Sequence, residues 1–225
     1  MNEREESPEE QMQAMIAEIE RVCKETDQLW TDPEFRADDS SLYIDPLQPP
    51  EYAQHAMVEW KRPHEIYTQD EPKLIKDNTK PGDVKQGELG DCWLLGSFLC
   101  LATNDKLLQN LFFRDGIQYG YAVFQFFKNG KWQFVIVDTR IPYNPTTKGP
   151  LYGHCSDPQE FWVPLMEKAY AKLHSSYEIL NGGSMAHGLV DLTGGVSYKF
   201  NLTVAEQKAA IESGAFWKDM KKWCQ

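Results

Sequence analysis

The run from Cys92 to Ala102, CWLLGSFLCLA, contains no charged residue. A helix that is apolar on nearly every side has to be buried on nearly every side. Leu94, Leu95, Phe98, Leu99, Leu101 and Ala102 leave almost no polar face, so the spacing predicts a central helix over 91–102 with the rest of the chain packed around it. Gly87 and Gly90, just upstream, predict a tight turn. That turn delivers Cys92 to the head of the helix. A thiol attacks as thiolate, and the unpaired N–H groups of a helix start stabilise negative charge. Gln86 lies six residues back, where its amide can fold over the helix start. It would donate to an oxyanion beside the sulfur, with the Cys92 N–H as second donor. The same pattern describes a cysteine that merely packs, and these residues alone leave both readings open.

Composition narrows the classes. The 225 residues carry a net charge of −11, which argues against nucleic-acid binding because phosphate contacts need a basic face. A hydrophobic fraction of 41% supports a sizeable core. The five cysteines are odd in number and include no C-x-x-C pair, which speaks against a disulfide framework or structural zinc. There is no transmembrane segment by hydropathy and no signal peptide at Met1, so a reducing, cytoplasmic setting is expected.

The remaining pattern is mixed. Residues 1–29 hold an acidic amphipathic helix, with Ser7 as cap, Pro8 in the first turn, and Met12, Met15, Ile16, Ile19, Val22 and Cys23 on one stripe. That stripe either packs on the domain or docks a partner. Residues 30–83 are proline-rich and read as an extended wrapping segment, with a short strand in VEWKRPHEIY. Residues 119–138 read as a hairpin turning at Asn129-Gly130. A helix over 158–176 is expected to kink or restart at Pro164. NGGSMAHGLVDLTGG reads as a glycine-rich loop, and Thr203-Val204-Ala205-Glu206 as a capping box opening a helix that Ser213-Gly214 breaks.

Gln86, Gly90, Cys92 and Trp93 together resemble the papain-like thiol proteases, and QGELGDCWLL looks like the calpain catalytic core. The similarity extends through DPEFRADDSSLY (32–43), VEWKRPHEI (58–66), PKLI (72–75), VIVDTRIP (135–142), EFWVPLMEKAYAKL (160–173) and GGSMAHGLVDLTGGV (182–196). It implies an α+β fold, the first subdomain of a papain-like core, with a central buried helix, packed helices and a small antiparallel hairpin. The implied organisation is the amphipathic helix at 1–29, the first core subdomain at 30–202, and at 203–225 the start of the connection to a second subdomain.

The implied activity is calcium-dependent cysteine-type endopeptidase, limited proteolysis of intracellular proteins, with Cys92 as nucleophile and Gln86 as oxyanion donor. In that family a second, β-rich subdomain supplies the histidine base and an asparagine that orients it. The resemblance reaches only the first. The implied partners are therefore protein substrates and a second subdomain, from the same parent chain or a partner protein. None of His55, His64, His154, His174 and His187 lies in the Gly-His strand context of that base, so this chain alone is expected to be inactive. The alternative is a truncated, non-proteolytic calpain-like regulatory or interaction protein. The family's first subdomain also binds one Ca²⁺. The matching positions look like Asp83 and Glu167, completed by backbone carbonyls around Lys76 and Asn78.

Overall fold

The computed structural model describes residues 6–53, 57–76 and 83–223, so His55 and Asn78 lie outside the described residues. The helices are α1 (Pro8–Thr26), α2 (Asp39–Leu42), α3 (Pro63–Ile66), α4 (Cys92–Leu101), α5 (Asp105–Gln109), α6 (Trp162–His174), α7 (Met185–Thr193), α8 (Ala205–Glu212) and α9 (Ala215–Trp223). The strands are β1 (Glu59–Lys61), β2 (Val84–Lys85), β3 (Phe112–Gly116), β4 (Tyr121–Lys128), β5 (Lys131–Asp138), β6 (Ile141–Asn144), β7 (Gly149–Pro150) and β8 (His154–Cys155). The architecture is α+β, as expected, and the chain divides into two compact units at 1–195 and 196–225.

In the first unit α4 is the centre of the core, with Leu94, Leu95, Phe98 and Leu101 all buried. Against it pack α7 and, through the Phe98–Trp162 and Trp93–Tyr170 ring contacts, α6, whose Trp162, Leu165, Met166 and Ala169 are inaccessible; β4 and β5 lie against α6 and α7. Burying each of these large apolar side chains is worth about 1.5–3 kcal/mol. Helix α6 starts at Trp162, later than the apolar spacing suggested, which places Pro164 in its first turn. An N–H there has no intrahelical partner to lose, so the proline neither breaks nor kinks the helix.

The hairpin forms as the sequence predicts. β4 and β5 pair antiparallel from Tyr121↔Asp138 to Lys128↔Lys131, and the turn residues Asn129 and Gly130 both have positive φ (54° and 77°). The sheet is larger than a hairpin, because β3 adds on the far side of β4 to give the order β3-β4-β5. Two short ladders, β1-β6-β7 and β2-β8, tie the wrapping segment down.

Helix α1 lies on the outer face of β4 and β5. Ser7 Oγ accepts from the Glu10 N–H, and Glu10 returns a bond to the Ser7 N–H, a reciprocal cap. Ile16, Ile19 and Cys23 are buried against Tyr121, Val123 and Ile136. The stripe therefore packs on the domain, while Met15 and Val22 at its margins stay exposed.

Two local expectations are overturned. The glycine-rich stretch holds a helix, α7: Gly188 sits against α4, where a Cβ would come within 2.7 Å of Ser97 Oγ. Gly183 and Gly188 serve close packing against α4, while Gly182 and Gly194, with φ of 86° and 69°, make the turn before the helix and its C-cap. In the second unit, α8 is capped by Val204 with no side-chain bond. The Thr203 hydroxyl is taken by Asn201 Oδ1 at 2.7 Å, an Asx turn that competes with the box. Within that unit Tyr198, Phe200, Phe216 and Trp223 form a chain of ring contacts.

Candidate active site

Cys92 is the first residue of α4 and is exposed, although its neighbours Asp91, Leu94 and Leu95 are buried. That contrast follows from how the helix is entered. Gly90 presses on Asn181, whose Oδ1 would stand 2.2 Å from a Cβ at position 90, and the Gly90 carbonyl accepts the Gly182 N–H at 2.8 Å. The turn before Cys92 is thereby stitched to the turn before α7. A recess of about 350 Å³ opens here, lined by Tyr43, Glu88, Gly90, Tyr152 and Asn181.

Trp93, the next residue of the helix, is anchored to the segment before α7 and to α6. Its indole N–H donates to the Leu180 carbonyl at 2.9 Å, and its ring meets Tyr170 edge-on at 5.9 Å. Ser97, one turn on, donates to the Trp93 and Met185 carbonyls. Behind Tyr170, Asp191 accepts from the Tyr170 hydroxyl at 2.7 Å and from Lys128 at 2.5 Å. Burial works against the Asp191 charge, but bonds from His174, Lys128 and Tyr170 outweigh it and hold the carboxyl at about 2. Asp191 therefore stays ionised at neutral pH and fixes α7, α6 and the hairpin to one another.

Gln86 lies in the turn as expected, with its amide donating to the Leu89 carbonyl at 3.1 Å. An amide carries two N–H donors, so a second remains for another acceptor. The histidines are elsewhere. His64 and His187 are exposed, His154 bonds the Tyr152 carbonyl, and His174 belongs to the Asp191 cluster. Among the described residues, none of them makes a hydrogen bond or ion pair with Cys92.

Asp83 and Glu167, expected as ligands of one cation, have different surroundings. Asp83 precedes β2, and its carbonyl accepts the Ser156 N–H at 2.8 Å. Glu167 is in the interior, 1% exposed, with both oxygens against the Gly153 N–H at 3.0 and 3.1 Å and the Asp91 carboxyl as its neighbour. Burial first, and then the neighbouring Asp91, push Glu167 well above the usual carboxylate range. The Glu167 oxygens face the Gly153 N–H inside the core, which sequence spacing could not reveal because it does not report burial. Glu160, passed over in the sequence, is better placed. Asp83 directly precedes the Val84↔Cys155 pair of β2 and β8, and burial first, then the charges of Glu160 and Asp83, raise the Cys155 thiol. Glu160 Oε1 also accepts the Lys76 N–H at 2.6 Å, which brings the backbone at Lys76 to the same place. Among the described residues no set of three or more His, Cys, Asp or Glu side chains is arranged as a metal site.

Known proteins carry the same arrangement of sequence. The model of the calpain family cysteine proteases matches residues 30–225. Calpain clp-1 of Caenorhabditis elegans is 43% identical over 185 residues, 80% of this chain and 22% of that protein. Calpain-8 of Mus musculus is 40% identical over 189 residues, 82% of this chain and 26% of its own length. The calpain-type cysteine protease DEK1 of Arabidopsis thaliana is 34% identical over 214 residues, 93% of this chain but 10% of that protein. The chain thus spans about a quarter or less of each of these relatives. With an exposed cysteine heading a buried helix, a glutamine in the turn before it and a family match over 30–225, this chain belongs to the calpain family of cysteine proteases.

Proposed function

We propose that this chain is the nucleophile-bearing part of a calcium-dependent cysteine endopeptidase. The observation that carries the reading is the exposure of Cys92 at the start of α4 while Asp91, Leu94 and Leu95 are buried. The Cys92 thiolate attacks the scissile carbonyl carbon, forming the C–S bond as the carbonyl oxygen becomes an oxyanion. The Cys92 N–H and the Gln86 amide donate to that oxygen, and loss of one such donor costs about 10²–10³-fold in rate. The recess beside Gly90 receives a substrate side chain. Collapse of the adduct expels the amine, which needs a proton as it leaves. A histidine outside these 225 residues, oriented by an asparagine in a second subdomain, supplies it. Without that partner about 10²–10⁴-fold of acid–base assistance is lost.

Calcium belongs to the same reading. Asp83 would hold the ion, with the Glu160 carboxylate and backbone oxygens near Lys76. These are hard oxygen donors of the kind calcium prefers. When bound, the ion would supply positive charge between the Asp83 and Glu160 carboxylates. The protein substrates are intracellular. No helix among the described residues is long and apolar enough to cross a membrane, which is compatible with that setting.

The test uses Cys100 as an internal standard, since it is exposed near the opposite end of the same helix. Iodoacetamide should label Cys92 several-fold faster than Cys100, because a helix N-terminus favours negative charge and a C-terminus disfavours it. The purified chain should not hydrolyse casein. Equal labelling would refute Cys92 as nucleophile. Casein cleavage abolished by Cys92→Ala would refute the need for an outside base.

A further inference from the structure

We propose that Asp91 and Glu167 form a positioning pair, holding one proton between two buried carboxyls, that pins the residue before Cys92 to α6 and to the loop at 151–153. The proposal rests on the reading of Cys92 as nucleophile, and it concerns residues that act through Cys92 without touching substrate.

Asp91 is fully buried and Glu167 nearly so. If both were ionised, two like charges would meet in the interior, an arrangement that strongly disfavours one of the charges. Asp91 would also have no hydrogen-bond donor beyond the N–H of its own residue. A single proton removes both difficulties. Protonated Glu167 donates to Asp91, and its carboxyl still accepts the Gly153 N–H. The proton is assigned to Glu167, because the neighbouring Asp91 raises the Glu167 carboxyl whereas the Glu167 side chain lowers that of Asp91. The fit is close, because a Cβ at Gly153 would come within 2.7 Å of Glu167 Oε1.

The connections close a loop around the catalytic turn. Asp91 bonds Glu167, and Glu167 holds Gly153. Two residues before Gly153, the Leu151 carbonyl accepts the Glu88 N–H at 3.0 Å. Glu88 lies between Gln86 and Cys92, so the pair braces the segment that carries both oxyanion donors. On the helix side, the Asp91 carbonyl accepts the N–H groups of Leu94 and Leu95 at 2.8 and 3.1 Å. Loss of the Asp91 anchor would therefore loosen the first turn of α4. Only one negative charge, and not two, stands behind the sulfur.

Two substitutions in the 225-residue chain separate the donor from the charge. Glu167→Gln offers an amide N–H to Asp91 and an amide oxygen to Gly153. Glu167→Leu fills the space and offers neither. Hydrogen exchange over residues 91–98 reads the first turn, and the ratio of iodoacetamide labelling at Cys92 to that at Cys100 reads the sulfur. The expected result is exchange and labelling within about twofold of wild type for Gln. For Leu, first-turn exchange should speed up roughly tenfold or more, as for a buried acceptor stripped of its donor, with the labelling ratio falling several-fold. A Gln variant as loosened as the Leu variant would overturn the proposal, and so would a Leu variant indistinguishable from wild type. If the Leu variant does not fold, Gln decides alone: wild-type exchange supports the pair and accelerated exchange overturns it. If wild-type Cys92 labels no faster than Cys100, the nucleophile reading fails while the exchange comparison still judges the pair.

Discussion

Replacing Gly183 with alanine should disturb the catalytic end of α4 from a position that has no chemistry of its own. A Cβ at Gly183 would stand 2.3 Å from Trp93 Cε2 and 2.6 Å from Cδ2 and Nε1. Those atoms belong to a rigid ring system, so the contact cannot be relieved by rotating a chain end. Either the indole or the turn before α7 has to move. Overpacking of this kind costs about 1–3 kcal/mol. Movement of the indole also breaks its bond to the Leu180 carbonyl, worth about another 0.5–1.5 kcal/mol. The sum is about 1.5–4.5 kcal/mol, or roughly 3–18 °C in Tm for a chain of this size. Urea unfolding followed by tryptophan fluorescence measures it. Gly149→Ala is the matched control, since a Cβ there meets nothing within 4 Å and the backbone is not left-handed; it should stay within about 0.5 kcal/mol of wild type. Because Trp93 adjoins Cys92, Gly183→Ala should also alter the Cys92 labelling rate, whereas Gly149→Ala should not. A Gly183→Ala protein as stable as the Gly149→Ala control would refute the packing argument.

Stability should depend on pH through the buried acid pair. The folded Glu167 and Asp91 carboxyls both lie above their unfolded values, so from about pH 4.5 upward the folded state binds more protons than the unfolded one. Their contribution is therefore fully present below that range and is lost as pH rises through the folded values. Glu167→Gln should flatten this decline in urea midpoints measured from pH 5 to 8. Asp138 receives five hydrogen bonds, from the Asp32 N–H, from Arg140 through N–H, Nε and Nη2, and from Lys168. Asp138→Ala should cost about 3–5 kcal/mol by equilibrium unfolding, as for other broken buried pairs. Lys168→Met should cost less, because Arg140 still neutralises Asp138 and because burial already lowers Lys168 to about 8. Calorimetric titration with Ca²⁺ should give binding heat for wild type that Asp83→Ala and Glu160→Gln each abolish and Glu167→Gln retains; flat traces throughout would remove the calcium assignment.

The sequence determined a good deal by itself. An uncharged run at 92–102 predicts a largely buried helix, and only the edge carrying Cys92 and Cys100 stays exposed. Gly87 and Gly90 before it predict a turn, and the turn presents Cys92. Asn129-Gly130 fixed the hairpin, since few other dipeptides accept two successive positive φ values. Ser7, Pro8 and Glu10 fixed the start of α1. All of these are decided over a few neighbouring residues.

What needed the tertiary structure involves residues far apart in the chain. The glycines before and within α7 look like loop punctuation until Trp93 and Ser97 are seen against them. Glu167 looks like a solvated helix residue, or a ligand, until Gly153 and Asp91 close over it. Glu160 and Asp83 stand 77 positions apart in the sequence, and only the pairing of β2 with β8 brings Asp83 to the segment that leads from Cys155 to Glu160. Local spacing specifies backbone conformation because it acts through bonded neighbours. Burial, and with it whether a carboxyl is a charge, a ligand or a proton donor, depends on which distant side chains exclude water from it.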